Sequence, residues 1–226
     1  MIVCKKEASE QNFNYQIEQF SYADFSVVKA FFGSIHDNLK EKSHFIIADL
    51  EEVLPSLLYG DKGLLFGALH EDEIIAIQGM DFLPPEDVAA LPNDLRALEI
   101  GWTAVTAEFR NIGLAKKLSH IIEHEAYRKT NNPSIVATVY PENIIGLSLY
   151  FSLGYIGYKF MEHLERPRIF LYKNSQKPFI ANNSILKYVS YDDYKMQKKL
   201  FDSGYLCVSI DVKNRTLQFV KGNLFN

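Results

Sequence analysis

Along the 226-residue chain, apolar positions switch between a spacing of two and a spacing of three to four, the marks of strands and amphipathic helices. Phe13, Tyr15 and Ile17 alternate with polar neighbours and predict a strand over 13–20. Phe25, Val28, Phe31 and Phe32 have helical spacing over 22–35, after Ser21 as a possible N-cap. A polar break at 36–42 precedes a second helix over 44–58, and Gly60-Asp61-Lys62-Gly63 marks a turn. Strands over 64–69 and 74–82, joined by the charged tip His70-Glu71-Asp72-Glu73, read as an antiparallel hairpin. The proline-containing segment 83–96 reads as an irregular insertion.

The stretch from Leu98 to Arg128 organises the rest. It begins as a strand, with Leu98, Ile100, Trp102 and Ala104 alternating with Glu99, Gly101, Thr103 and Val105. It ends as a helix with Leu114, Leu118, Ile121 and Ile122 at helical spacing, stopping at Thr130-Asn131-Asn132-Pro133. Between them lies Arg110-Asn111-Ile112-Gly113-Leu114-Ala115, which fits Arg/Gln-x-x-Gly-x-Gly/Ala. A helix opening on such a loop presents unpaired backbone N–H groups and the positive end of its dipole, a setting that favours phosphate. Gly113 and Ala115 let an anion approach the backbone closely.

Further on, 135–140 reads as a short strand, 143–153 as a helix ended by Gly154, and 155–164 and 168–172 as strands around Glu165-Arg166-Pro167. The helix carries Asn143, then Leu149-Tyr150, then Gly154-Tyr155. Its spacing puts Asn143, Gly146 or Leu147, and Tyr150 on one face. The loop after the central strand resembles motif A of the GNAT superfamily of N-acetyltransferases, and this helix resembles motif B. The resemblance covers about residues 13–173. It implies an α+β fold with a mixed, mostly antiparallel twisted sheet flanked by helices. Residues 174–226 then form a C-terminal α/β extension: a strand over 185–189, a helix over 191–201 with Asp192 near its start, and a hairpin over 205–220. That extension is either a small appended module or extra strands on the main sheet.

The resemblance also implies chemistry. Acetyl-coenzyme A is the expected co-substrate, with its pyrophosphate in the loop Arg110, Asn111, Ile112, Gly113, Leu114, Ala115 and Lys116. Thr103, Ala104 and Val105 are expected along the pantetheine arm, with backbone N–H near Val105 polarising the thioester carbonyl. Asn143, Ser148 and Tyr150 are expected on the coenzyme from the motif B helix. Acetyl transfer to an amine needs a base for the ammonium proton and an acid for the leaving thiolate. Glu99 is the expected base, since Glu99-Ile100 followed by Ala104-Val105-Thr106 resembles the spacing in histone-type members. Tyr150 is the expected acid. The acceptor site is expected near 33–43 and 163–168, with 83–96 also in reach. The acceptor is expected to be a small-molecule amine. A non-catalytic acyl-CoA sensor or partner-binding module on the same fold is the alternative.

Composition narrows the classes. A net charge of −4 carries no nucleic-acid footprint, and 47% hydrophobic residues suffice for an ordinary core. Cys4 and Cys207 make no disulfide framework, no apolar run approaches a membrane span of about 20 residues, and no signal-peptide pattern is evident. A cytoplasmic protein is expected, with no membrane or nucleic-acid partner. His120, Glu123 and His124 fit the H-x-x-E-H pattern of inverted zinc peptidases. The histidines point away from the apolar stripe, so a solvated face is expected and no metal. Lys117 is expected on a solvated face, Glu125 falls unexplained in the apolar stripe, and Phe25, Phe31 and Phe32 read as core rather than a substrate cage.

Overall fold

The residues described are 13–38, 50–82, 97–132, 134–163, 166–174 and 186–222, in a computed structural model of the chain. They fall into two units, one within 1–83 and 98–132, the other within 84–97 and 133–226. The start of the expected second helix (44–49), the segment 83–96, most of the loop 36–43 and Cys4 lie outside the described residues.

In the first unit, β1 (Gln16–Gln19), β2 (Gly63–His70), β3 (Glu73–Asp81) and β4 (Leu98–Val105) follow one another in an antiparallel sheet. The β2–β3 tip is shorter than the charge pattern suggested. Only Glu71 and Asp72 lie between the strands, with φ of 51° and 65°, the backbone of a type I′ turn that matches strand twist. After a short 3-10 turn, α1 (Phe25–Asn38) runs three residues past the expected end. Its entry is held by the Asp24 carboxylate, which accepts from the Ser21 N–H at 2.8 Å and the Ser21 hydroxyl at 3.0 Å. Helix α2 spans Leu50–Leu58.

One core joins Val28, Phe31, Phe32 and Ile35 of α1 and Leu50, Leu54, Leu57 and Leu58 of α2 to Leu65, Ile77 and Ala104 of the sheet. Phe25 packs against its edge, so all three phenylalanines belong to the core. Helix α3 (Leu114–Thr130) covers the other face, where the Ser119 hydroxyl lies 2.9 Å from the Gln78 side-chain carbonyl. Ile77 and Gln78 are consecutive in β3, so the two helix layers sit on opposite faces. α3 ends with Asn131 in the left-handed region, its N–H donating to the Tyr127 carbonyl at 2.7 Å. Glu125 finds its explanation here: it is buried and paired with Arg128 at 2.8 Å, one turn on.

In the second unit, β5 (Ser134–Val139), β6 (Ile156–His163), β7 (Arg166–Asn174), β8 (Lys187–Ser190), β9 (Tyr205–Asp211) and β10 (Thr216–Lys221) lie in the order β5-β7-β6-β9-β10-β8, all antiparallel. The strands after 174 therefore extend this sheet, joined where Gly157 of β6 faces Cys207 of β9. A Cβ on Gly157 would stand 2.9 Å from the Cys207 Cβ, so only glycine allows the approach. Burial pushes the Cys207 thiol far above its ordinary value and leaves it inert. Helix α4 spans Ile144–Ser152, and helix α5 spans Tyr194–Asp202. Asp193, not Asp192, caps α5 by accepting from the Met196 N–H at 3.0 Å, while Asp192 pairs with Arg215 at 3.1 Å. β7 begins before the expected turn residue Pro167, which pairs with Glu162; proline is tolerated that close to a strand start. No helix among the described residues is long and apolar enough to cross a membrane.

The closest backbone approach in the first unit gives a test. A Cβ on Gly63 would lie 2.8 Å from the Met80 carbonyl oxygen and 3.2 Å from the Leu57 Cα. Gly63→Ala should lower unfolding free energy by about 1–3 kcal/mol in urea titrations, since neither obstacle is a flexible side-chain tip.

Candidate active site

β4 is not the evenly alternating strand its sequence suggests. Ala104 faces Ile77 and Gly101 faces Gly79, so Trp102 and Thr103 together oppose Gln78. This is a β-bulge, and Trp102 carries it with φ of 54°, left-handed for a bulky aromatic. The bulge flips the face: Trp102 and Ala104 join the core under α1 and α2, whereas Ile100 faces Met80 on the other side. The Ala104 side chain is thereby committed to packing, and only its backbone is left for a ligand. Thr103 and Val105 are half-buried.

The loop after β4 is a 3-10 turn over Ala107–Phe109, then Arg110 to Gly113. Asn111 and Gly113 are both left-handed, at φ of 65° and 83°. Gly113 is the N-cap of α3 and offers no side chain to cap it. The N–H groups of Asn111, Ile112, Gly113, Leu114 and Ala115 donate to no other group among the described residues. A Cβ on Gly113 would meet nothing within 4 Å, so the space over the turn is open. Five amides without acceptors at the positive end of a helix of 17 residues are equipped to hold a diphosphate. Arg110 is exposed and folds back, its Nε donating to the Val105 carbonyl at 3.1 Å. Leu114 is buried by its side chain, and Lys116 is exposed. Lys117 departs from the solvated position expected of it. It is half-buried, with Nζ 3.0 Å from the Tyr15 hydroxyl and above that ring.

In the second unit, Asn143 is the N-cap of α4, its side-chain oxygen accepting from the Gly146 N–H at 2.9 Å. Gly146 is needed for that cap, since a Cβ would lie 2.9 Å from the Asn143 Nδ2. Tyr150 is buried, edge-on to Tyr155 at 5.1 Å. Ser148 is half-buried. Leu153 closes the helix and Gly154, at φ of 87°, turns the chain into β6.

Solved structures share this architecture. The Vibrio fischeri ribosomal-protein-S5-alanine acetyltransferase matches with a TM-score of 0.58 over 77% of this chain and 100% of its own, at 13% identity. The GNAT domain of S. lividans PAT matches at 0.56 over 75% of this chain and 95% of its own, also at 13% identity. The chain has the GNAT fold. An uncharacterised protein from Bacillus halodurans matches at 0.58 over 87% of this chain and 97% of its own, at 14% identity. No protein-family model matches the sequence, and no protein of curated function does.

Within this GNAT fold, β3 shows a carboxylate that periodicity did not single out, Asp81. Glu99 is half-buried and its Cα partner across the sheet is Asp81 at the end of β3. Directly opposed residues share a face, and Asp81 shares the Ile77 face with α2. The Ser56 hydroxyl of α2 donates to Asp81 at 3.2 Å. Asp81 ends the strand expected over 74–82, and its polarity there was the only sequence signal. On α3, His120 and His124 are exposed and Glu123 is buried. Among the described residues, no three His, Cys, Asp or Glu side chains group to hold a metal.

Burial raises the Asp81 carboxyl above its ordinary value, against the opposing pull of hydrogen bonds from Ser56 and Trp102. The folded state therefore holds this proton more tightly than the unfolded chain. Its contribution favours folding in acid and is lost as pH rises through the folded value. Asp81→Asn should be more stable than wild type at neutral pH, with the difference shrinking toward about pH 4, in urea titrations from acid to neutral.

Proposed function

We propose that the chain is an N-acetyltransferase that uses acetyl-coenzyme A and transfers the acetyl group directly to a primary amine, within a complex holding both substrates. The observation that carries this reading is the row of unpartnered amides from Asn111 to Ala115 at the α3 N-terminus. The similarity to acetyltransferases of known structure supports the same class of reaction. The coenzyme supplies the activated acetyl thioester.

The protein's residues supply the rest. The Asn111–Lys116 backbone binds the diphosphate and fixes the position of the attached arm. The backbone of Thr103 to Val105, beside the bulge, provides N–H groups to bind that arm and polarise the carbonyl. Glu99 accepts the proton that the amine must lose, so that a neutral nitrogen attacks the carbonyl carbon. Tyr150 donates its hydroxyl proton to the sulfur as the C–S bond breaks. Asp81, opposite Glu99, adds a second carboxylate to the face that receives a cationic amine. A small-molecule amine is the acceptor class we favour.

Two variants and one assay test this. Gly113→Glu puts a charged side chain on a left-handed residue among the phosphate-binding amides, and should weaken acetyl-CoA binding at least about tenfold by calorimetry. Unchanged affinity would remove the loop from the site. Tyr150→Phe should bind acetyl-CoA as wild type does but turn over about 100-fold more slowly with an amine acceptor, measured by free-thiol release. Coenzyme binding with no thiol release across an amine panel would make the chain a sensor rather than an enzyme.

A further inference from the structure

The geometry points to an oxyanion subsite where β7 begins: Arg168, laid on the ring of Tyr140, takes a carboxylate or phosphate group of a bound ligand. Tyr140 follows the last residue of β5, and the register Val139–Ile169 brings Tyr140 and Arg168 opposite each other on one face. The Arg168 guanidinium carbon lies 3.2 Å from the Tyr140 ring centroid. Arg166 approaches the same ring at 5.6 Å. The ring face attracts both cations but accepts no strong hydrogen bond from either.

What is missing around Arg168 defines the ligand. Arg168 is 8% exposed, yet its Nε has no hydrogen-bond partner and it makes no ion pair among the described residues. The hydroxyl of Tyr140, itself 4% exposed, lies close enough to the guanidinium to interact with it but outside hydrogen-bonding geometry, and it has no other hydrogen-bond partner among the described residues. Buried charges and hydroxyls are normally satisfied, so two orphaned donors at one spot call for an acceptor from outside. Glu142 is exposed and acts on Arg168 only through space, while hydrogen bonding to Tyr194. A guanidinium stays charged when buried, and its planar fork fits the paired oxygens of a carboxylate or phosphate. The platform is also tied to the motif B helix, because the Tyr140 carbonyl accepts from the Asn143 N–H at 3.0 Å.

Full-length wild type, Arg168→Met and Arg168→Lys are melted in chloride and in inorganic phosphate at equal ionic strength. Phosphate should raise the wild-type midpoint more than that of Arg168→Met, with Arg168→Lys between them. In chloride, Arg168→Met should melt at or above wild type, because the substitution removes an unpaired buried charge. Equal phosphate shifts in all three proteins would overturn the subsite. So would an Arg168→Met midpoint well below wild type in chloride, since that marks a purely structural stacking role. These melts do not depend on the acetyltransferase reading.

The source of the oxyanion does rest on that reading, and two arms separate the possibilities. If a coenzyme phosphate is the ligand group, Arg168→Met weakens acetyl-CoA binding about tenfold in calorimetry. If the acceptor carries it, acetyl-CoA affinity holds. Wild type then prefers carboxylate-bearing amines over their amides by about tenfold in kcat/KM, and Arg168→Met loses that preference. Phosphate shifts with neither arm responding would overturn a role for Arg168 in substrate binding.

Discussion

One extra residue in β4 governs the first unit. Without the bulge at Trp102, strict alternation would send Leu98, Ile100, Trp102 and Ala104 to the same side of the sheet. With it, Trp102 and Ala104 complete the core beneath α1 and α2, and Ile100 turns toward the layer of α3. Holding a tryptophan in the left-handed region costs on the order of 1–3 kcal/mol, which packing against Phe32 and the surrounding core offsets. The same irregularity interrupts the β3–β4 ladder beside Thr103.

The loop that follows is shaped by a related constraint. Asn111 and Gly113 both take left-handed backbone, and Gly113 caps α3 without a side chain. A serine or aspartate there would satisfy one of the first-turn amides internally. Glycine leaves them unsatisfied and the space above them open. The first unit thus carries a run of amides without acceptors at this turn. α4, in the second unit, spends its N-cap on itself through Asn143 and Gly146. Two helices that begin after short loops therefore have opposite economies of hydrogen bonding, and only α3 has the form of an anion site.

The second unit is organised by close packing around Gly157, Cys207 and Phe201, which lets the strands after 174 join the sheet rather than stand apart. Its polar interior is uneven. Ser134 lies 3.2 Å from the Tyr172 hydroxyl, and Gln197 donates to the Ser190 and Tyr191 carbonyls although its own side-chain oxygen accepts nothing; Arg168 Nε and the Tyr140 hydroxyl likewise lack hydrogen-bond partners among the described residues. What sets Arg168 and Tyr140 apart is that the two orphaned groups stand together and one of them is charged.

The sequence by itself determined the elements and both motifs. Periodicity set the hairpin, the core faces of α1 and α3 and the helix stop at Gly154, because those depend on neighbours within a few residues. The Gly113 turn and the Asn143 helix were legible for the same reason. Tertiary structure decided what depends on partners far along the chain. It turned Lys117 onto Tyr15, set Asp81 against Glu99, flipped β4 at Trp102, and stacked Arg168 on Tyr140. No local spacing encodes such pairings, since strand register and burial join residues tens of positions apart, and it is there that a carboxylate or guanidinium gains or loses its partner.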